Sequence, residues 1–345
     1  MTNCSRNNYI SIAKAIGIIF MVVGHSGCPT ALGKFIYLFH MPLFFVCSGY
    51  FFKRITNRTS LLTFYKKRIK GLYIPYLKWS LLFLLLHNVF RYMNITGGLY
   101  YHTQDYIRQF VKIIVMVDYE LLIRPFWFIK ELLYASLIVA TISFINSRLS
   151  TKNRFELYFI IAFIGSIISK FAPTIPLIGD SSVLCTSILY FYTGILFFKY
   201  KQHIPYTHFT LISSFIIVLI GSIYYIGIVD MRSTNVYNQI PYYLLSVSGI
   251  IMAFSISKLL EQTKVVHILY YIGNHTMPIL ALNLLALKIG SIIKISIYGL
   301  PITELASYTV IFENNSHFWL VYTIIGVTIP LLVEHLFHKY LLQKQ

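Results

Sequence analysis

The chain has 345 residues, of which 57% are hydrophobic and only 12% are charged, and its formal net charge is +18. Because apolar runs recur along the whole length, this composition excludes an ordinary soluble domain and predicts a multi-pass membrane protein. The positive charge does not indicate nucleic acid as a partner, since the basic residues lie in short segments between apolar runs rather than on one soluble basic face.

The apolar runs predict an all-α, polytopic membrane protein that forms a single domain over residues 1–345. A membrane-spanning helix needs about 20 mostly apolar residues. About ten segments meet this requirement: 9–27, 35–52, 72–91, 125–146, 155–171, 182–199, 208–229, 239–259, 268–290 and 317–338. The run 106–123 carries four charged side chains, so it predicts an interfacial or re-entrant helix within an outer connection over 92–124.

The distribution of basic residues predicts how these spans are oriented. Lysine and arginine accumulate in the cytoplasmic segments of membrane proteins. With a cytoplasmic N-terminus, 17 of the 29 basic residues lie in inner segments, nine lie in outer segments or at their borders, and three lie within spans. Both termini are therefore expected in the cytoplasm, and 53–71 is expected to be a basic cytoplasmic loop.

The first span carries two polar side chains, Lys14 and His25. A charged lysine within hydrocarbon costs at least about 2.5 kcal/mol on insertion scales. Eleven residues separate the two, which is about three helical turns and a rise of roughly 16 Å, so both side chains leave the same face. Either one alone could extend to the nearest headgroups, but polar groups aligned along a span are typical of a cavity lining.

The second span contains the stretch FHMPLFFVCSGYFF, which places His40 at its outer end. His25 and His40 flank one short outer connection, where a neutral imidazole can act as a general base toward a hydroxyl. Two histidines are also compatible with a metal, but no third ligand lies at a defined spacing, so we predict no metal site. Ser48 is a candidate substrate contact, although the simplest interpretation of Ser48 and Gly49 is close helix packing.

The fourth span begins with RPFWFIKELL and brings Trp127, Lys130 and Glu131 into the outer third of the membrane. Glu131 is a candidate catalytic residue because it could orient a histidine, as the third member of a proton relay does. It is equally able to pair with Lys130 or Arg124 at the membrane border. Trp127 is a candidate substrate contact.

The inner loop 53–71 is the most basic segment of the chain, and its second half contains Lys66, Lys67, Arg68 and Lys70. Such a cluster is able to fix topology or to contact anionic lipid. It also suits a polyphosphorylated cytosolic ligand, because lysine and arginine neutralise phosphates. No Walker or Rossmann glycine motif is present, so no ATP or dinucleotide site is predicted.

Together these stretches resemble the membrane acyltransferase-3 family, the integral-membrane O-acyltransferases of bacterial surface glycans. Lys14 and His25 are similar to the family's first-span pattern of a basic residue, ten residues and a histidine, and FHMPLFFVCSGYFF resembles its second-span motif. FWFIKELL and YIGNHTMPILALN resemble its motifs in the fourth span and in a late span. The chain departs from the family at Asn283, where a histidine is frequent, and at KRIK, 67–70, where many members have an Arg-x-x-Arg pair.

The resemblance implies a reaction and a set of roles. An acyl group, usually acetyl, passes from acyl-CoA on the cytoplasmic side to a sugar hydroxyl of a lipid-linked or exported glycan. The expected location is the bacterial cytoplasmic (inner) membrane, with membrane lipid around the protein and no bound cofactor or metal. His25 is then the essential catalytic residue, Lys14 joins it in the catalytic set and lines the channel that CoA reaches, and the basic loop binds the donor. His40 and Asn283 are candidate substrate contacts.

The residues alone leave a second function open, a glycan flippase or exporter without acyl-transfer chemistry. Ten spans around a polar channel suit transport as well as catalysis. The discriminating feature is the pair Lys14 and His25 beside a basic inner loop, which a flippase does not need. Fold class by itself does not separate the two functions.

Overall fold

The computed structural model describes residues 8–150, 152–172, 180–225, 229–312 and 317–342. These residues form helices and turns, with no β-strand among them. The first eight α-helices are α1 (Asn8–His25), α2 (Thr30–Tyr37), α3 (His40–Tyr50), α4 (Arg58–Arg68), α5 (Ile74–Leu85), α6 (His87–Tyr92), α7 (Thr103–Ile114) and α8 (Trp127–Leu149). The other eight are α9 (Phe155–Ile168), α10 (Ser181–Lys199), α11 (His208–Tyr224), α12 (Val236–Leu260), α13 (Val266–Asn274), α14 (Thr276–Tyr298), α15 (Glu304–Ser307) and α16 (Phe318–Leu342).

Six helical segments of the described chain are long and apolar enough to cross a membrane. They are Thr30–Tyr50, Leu121–Leu149, Ser181–Lys199, Val236–Leu260, Thr276–Tyr298 and Phe318–Lys339. The all-helical, multi-pass prediction is therefore confirmed. Helices α1 and α11 are apolar but shorter. The full count of ten spans and the cytoplasmic position of both termini stay predictions.

The structure corrects the bounds of three predicted spans. The segment 72–91 is interrupted after α5, and the segment 155–171 contains only the 14-residue helix α9 and one 3-10 turn. The late segment 268–290 is split at His275, whose backbone is not helical, into α13 and the longer α14. Pro278 lies in the first turn of α14, where its missing N–H is not needed. Hydropathy does not separate the two helices, because both are apolar, so the sequence predicted a single span.

Helix α7 covers the first half of the run 106–123, for which an interfacial or re-entrant helix is predicted. The chain just before α7 lies near the far end of α5, because Asn88, which follows α5, forms hydrogen bonds with the backbone of Tyr101. The end of α7 lies near the start of α5, where Tyr76 donates to the carbonyl of Ile113 at 2.9 Å. Helix α7 is therefore antiparallel to α5. Met116 then turns the chain with a positive φ of 57°. The outer connection is thus folded back on the third predicted span.

The centre of the molecule is built from close helix crossings around α1 and α3. Helix α1 contacts α3, α12, α13, α14 and α16. At the crossing of α3 and α10, a Cβ on Gly49 would lie 2.0 Å from the carbonyl oxygen of Phe191, and a Cβ on Gly194 would lie 2.1 Å from that of Val46. Glycine at both positions therefore allows backbone contact of the kind common between membrane helices.

Peripheral helices present apolar side chains outward. Helices α9, α11 and α16 expose aliphatic and aromatic residues, among them Ile160, Ile164, Phe209, Ile212, Ile223, Leu320 and Ile324. Their backbone polar groups are satisfied within each helix, which is the condition for contact with hydrocarbon. This surface is the one expected to face lipid.

Candidate active site

Two cavities lie on the helices that carry the predicted site residues. One, here called the inner cavity because it borders the predicted inner loop 53–71, has a volume of about 320 Å³ and is lined by Lys14, Ser48 and Arg68 together with apolar side chains of α1, α3, α8 and α14. The other, called the outer cavity after the predicted orientation, has a volume of about 450 Å³ and is lined by His25 and Trp127 together with residues of segments predicted to lie outside. Both volumes fall in the range of small-molecule sites.

The same three helices line both cavities. On α1, Met21 faces the inner cavity and His25 the outer one, and on α14 the corresponding residues are Leu280 and Leu284. Each of these pairs is four residues apart, about 6 Å along a helix axis. On α8, Phe128 lines the inner cavity and the preceding residue, Trp127, lines the outer one. The cavities are therefore separated by roughly one helical turn.

Within the inner cavity, the side chains of α1 and α3 meet. Lys14 is half-buried and shares the lining with Cys47 and Ser48 of α3. The Ser48 hydroxyl is buried and has no hydrogen-bond partner among the described residues. Gly17 lies against the ring of Phe44, 3.0 Å from where a Cβ would be. Lys14 and Ser48, both predicted site residues, therefore line the same cavity, whereas Gly17 allows close packing of α1 against α3.

The basic loop contributes one of its four predicted donor-binding residues to this cavity. Arg68 is half-buried, with its guanidinium 5.0 Å from the ring centroid of Phe64, whereas Lys66, Lys67 and Lys70 are exposed and do not line the cavity. Burial lowers the pKa of Arg68 to about 10, which leaves it charged at neutral pH.

A π-helix over Ile69–Tyr73 follows Arg68 and joins α4 to α5. π-Helical turns are frequent at functional sites. Gly71 lines the cavity, and a Cβ added there would meet open space. Gly71 and Leu72 of this turn thus contribute to the lining of the inner cavity together with Arg68.

The outer cavity gathers cationic side chains around His25. Arg124 comes from the 3-10 turn before α8, Arg232 from the turn before α12, and Lys288 from the middle of α14. The Arg232 guanidinium lies 5.3 Å from the centroid of the Trp127 ring. The sequence identified His25 and Trp127 but missed these three cations as site residues. The only signal was the position of Arg124 in the quoted stretch RPFWFIKELL.

His40 lies outside both cavities. It is buried, its Nδ1 is 3.0 Å from the carbonyl oxygen of Ile36, and its ring packs edge-on against Tyr37. The Tyr37 hydroxyl in turn donates to the carbonyl of Gly24, next to His25. The two histidines are thus connected through α2, and only His25 borders a cavity.

Glu131 and Asn283 are buried and line neither cavity, although each is next in sequence to a lining residue, Leu132 and Leu284. Glu131 Oε2 and Asn283 Oδ1 have no hydrogen-bond partner among the described residues. The Asn283 amide donates to the carbonyls of Ile279 and Leu280, one turn earlier on α14. The predicted relay between Glu131 and His25 has no hydrogen bond in this structure. The roles assigned to these two residues stay predictions.

The outer connection is fastened beside the outer cavity by a buried pair. His87 Nδ1 is 2.8 Å from Glu120 Oε2, and Tyr101 stacks on the His87 ring at 3.5 Å. Burial raises the pKa of the Glu120 carboxyl above its ordinary value, although the hydrogen bond with His87 opposes this shift. Leu121 and Leu122, which follow Glu120, line the outer cavity. The pair therefore positions one wall of that cavity.

The described residues contain no group of three or more histidine, cysteine, aspartate or glutamate side chains that could hold a metal ion. The arrangement instead offers an imidazole beside one cavity and a lysine and an arginine beside the other. Such groups are able to move a proton and to hold a phosphorylated ligand.

No curated protein and no solved structure matches the chain. A family model does match, over residues 7–335, and its description is an acyltransferase domain. The match covers almost the whole chain, including both cavities and every predicted site residue. Together with the long apolar helices, it shows that the chain belongs to the acyltransferase-3 family and is a multi-pass membrane acyltransferase.

Proposed function

We propose that the protein transfers an acyl group, with acetyl as the expected group, from cytoplasmic acyl-CoA to a hydroxyl of a surface polysaccharide or its lipid-linked precursor. The observation that carries this proposal is the pair of cavities on α1, α8 and α14. One contains Lys14 and Arg68, the other contains His25, and about one helical turn separates them. A donor and an acceptor approaching from opposite sides would meet at that turn.

The inner cavity suits the CoA donor. Arg68 offers a guanidinium fork for a phosphate, and the exposed lysines of the loop add positive charge around it. Lys14 and the Ser48 hydroxyl line the same cavity and are able to donate to the amide or thioester carbonyls of the pantetheine arm. The apolar side chains between them suit the alkyl parts of that arm.

The outer cavity suits the acceptor. An alcohol is a poor nucleophile at neutral pH, and a neutral imidazole within hydrogen-bond reach is able to remove its proton during attack. In the proposed step the sugar oxygen bonds to the acyl carbon and the carbon–sulfur bond of the thioester breaks. His25 takes the hydroxyl proton, which then passes to the leaving thiolate, so the products are an O-acyl glycan and free CoA.

Membership of an acyltransferase family supports this function over the alternative of a glycan flippase or exporter. A transporter exposes one central site alternately to the two sides. Here the described helices carry two cavities instead of one. Lys14 and Arg68 line the inner cavity, and the imidazole of His25 lines the outer cavity beside a separate set of cations. The bacterial inner membrane is the proposed location, because acyl-CoA lies on its inner side and exported glycans on its outer side.

The test is mass spectrometry of surface glycans from cells with and without the gene. Loss of one acetyl increment per modified residue, and its return with the plasmid-borne gene, is the expected result. A plasmid-borne His25→Ala variant present at normal abundance serves as the matched control and should not restore the increment. Glycans of unchanged mass that fail to reach the surface would contradict the proposal and favour transport.

A further inference from the structure

The outer cavity is strongly cationic. Its described lining includes Arg124, Arg232 and Lys288 in addition to His25, and it includes no aspartate or glutamate. Outside the lining, Glu131 interacts electrostatically with Lys130 and Arg232, and Glu120 lies against His87. The three cations of the lining therefore outnumber the carboxylate of Glu131. Neutral sugars do not require such a surface, because they are held by neutral hydrogen-bonding groups and aromatic faces. The charge therefore calls for an anionic ligand.

Lys288 is held in the wall of this cavity by the backbone. Its side chain is 4% exposed, and its Nζ donates to the carbonyls of Leu305 and, at 2.6 Å, of Tyr308. An ammonium group has three donors, so one remains for a ligand. A buried cation within a membrane helix is costly and is typically retained for function.

Arg124 and Arg232 come from two separate turns and are both exposed at the cavity. The Arg232 guanidinium is oriented over the Trp127 ring at 5.3 Å. Guanidinium groups form paired hydrogen bonds with phosphate and carboxylate oxygens. Two arginines and a fixed lysine around one space are thus suited to a single multivalent anion.

We propose that the acceptor carries an anionic group, a phosphate or a carboxylate, which Arg124, Arg232 and Lys288 bind so that a neighbouring sugar hydroxyl faces His25. This inference rests on the proposed function for the identity of the acceptor, but not for the binding of the anion. The same chemistry has two sources, the pyrophosphate link of a polyprenyl carrier and the carboxylate of an acidic sugar.

The test measures binding of inorganic pyrophosphate and of glucuronate to the purified full-length protein, without any acyl donor. The variant Arg124→Gln is compared with Arg108→Gln, which removes an exposed arginine of α7 that does not line the cavity. We expect saturable, salt-sensitive binding. Loss of one charge-assisted contact should weaken it about tenfold or more in Arg124→Gln, and Arg108→Gln should bind like the unchanged protein.

The two anions distinguish the source. Preference for pyrophosphate supports a lipid-linked acceptor, and preference for glucuronate supports an acidic glycan. Equal binding by the two variants, or no saturable binding of either anion, would overturn the inference. The binding measurement contains no acyl donor, so it does not depend on acyl transfer. If a separate assay found no acyl transfer, the proposed function would be refuted, but the measured binding of the anion would still hold. Conversely, acyl transfer whose acceptor KM is the same in both variants would refute the inference alone.

Discussion

Replacing Arg68 by glutamine is expected to impair use of the acyl-CoA donor, whereas the same replacement of Lys70 is expected to change it little. The two residues are neighbours in the basic loop and carry the same charge, so sequence alone treats them alike. In the structure Arg68 is half-buried and lines the inner cavity, while Lys70 is exposed and does not. Lys70→Gln is therefore a matched control for net charge.

The expected size of the effect follows from this difference in burial. A hydrogen bond between a guanidinium and a phosphate contributes about 1.5–3 kcal/mol, which corresponds to a rise of about 10- to 100-fold in the KM for acyl-CoA. An exposed ion pair contributes at most about 1 kcal/mol and is screened by salt, so Lys70→Gln should raise the KM at most about fivefold. Arg68→Lys should fall between the two, because it keeps the charge and loses the fork.

The assay is acyl transfer in proteoliposomes at saturating acceptor, with the concentration of acyl-CoA varied on the side of the basic loop. Both variants must be present in equal amounts and must have the same thermal stability in detergent. Equal KM values for Arg68→Gln and Lys70→Gln would refute the reasoning. A lowered kcat with an unchanged KM in Arg68→Gln would also refute it, because Arg68 would then not bind the donor.

Three further predictions concern the helices around the cavities. Lys14→Met should raise the KM for acyl-CoA without lowering protein abundance, since an apolar residue of similar shape is often neutral for stability; an unchanged KM would make Lys14 a headgroup anchor. Gly49→Ala should lower thermal stability by about 1–3 kcal/mol, because its Cβ would lie 2.0 Å from the Phe191 carbonyl oxygen and force the two helices apart. Gly71→Ala is the control and should not lower it, because a Cβ there meets open space. Equal melting temperatures of the two variants would contradict this. Reporter fusions at residues 60 and 305 should lie on opposite sides of the membrane, and the same side for both would refute the topology.

Helical periodicity predicted which residues share a face, and this part of the site agrees with the structure. Lys14 and His25 leave one side of α1 and border two cavities that lie in line. Periodicity does not determine which face meets a cavity, because that depends on the neighbouring helices. His40 was predicted to flank the same connection as His25, and Glu131 either to orient a histidine or to pair with Lys130 or Arg124. In the structure both residues are buried and line neither cavity, and their roles stay predictions.

The cations of the outer cavity were not predictable for a related reason. The hydropathy of 268–290 ended the late span near Lys288, which made this lysine resemble a border charge. Helix α14 instead continues to Tyr298, and Lys288 lies in its middle. Arg232 belongs to a short turn between helices, and nothing local indicates that this turn reaches Trp127. Such contacts arise from tertiary packing of segments far apart in sequence.

The basic loop shows the limit of charge counting. Its composition predicted a phosphate-binding segment, but it did not separate Arg68 from the lysines around it. The separation depends on which residues at the end of α4 and in the π-helical turn over Ile69–Tyr73 face the neighbouring helices, and composition does not encode this. The departure from Arg-x-x-Arg at 67–70 leaves one arginine, and it is this arginine that lines the cavity.

The most direct test of the central claim, that His25 is the base for acyl transfer, compares His25→Ala with His40→Ala. Both are reconstituted in proteoliposomes loaded with acetyl-CoA and supplied with the purified glycan precursor. We expect His25→Ala to lose about 10²–10⁴-fold in turnover through loss of base catalysis, with normal insertion into the membrane. His40→Ala should lose much less, because His40 contacts Ile36 and Tyr37 rather than a cavity. Near-normal turnover by His25→Ala would contradict the mechanism, whatever the activity of His40→Ala.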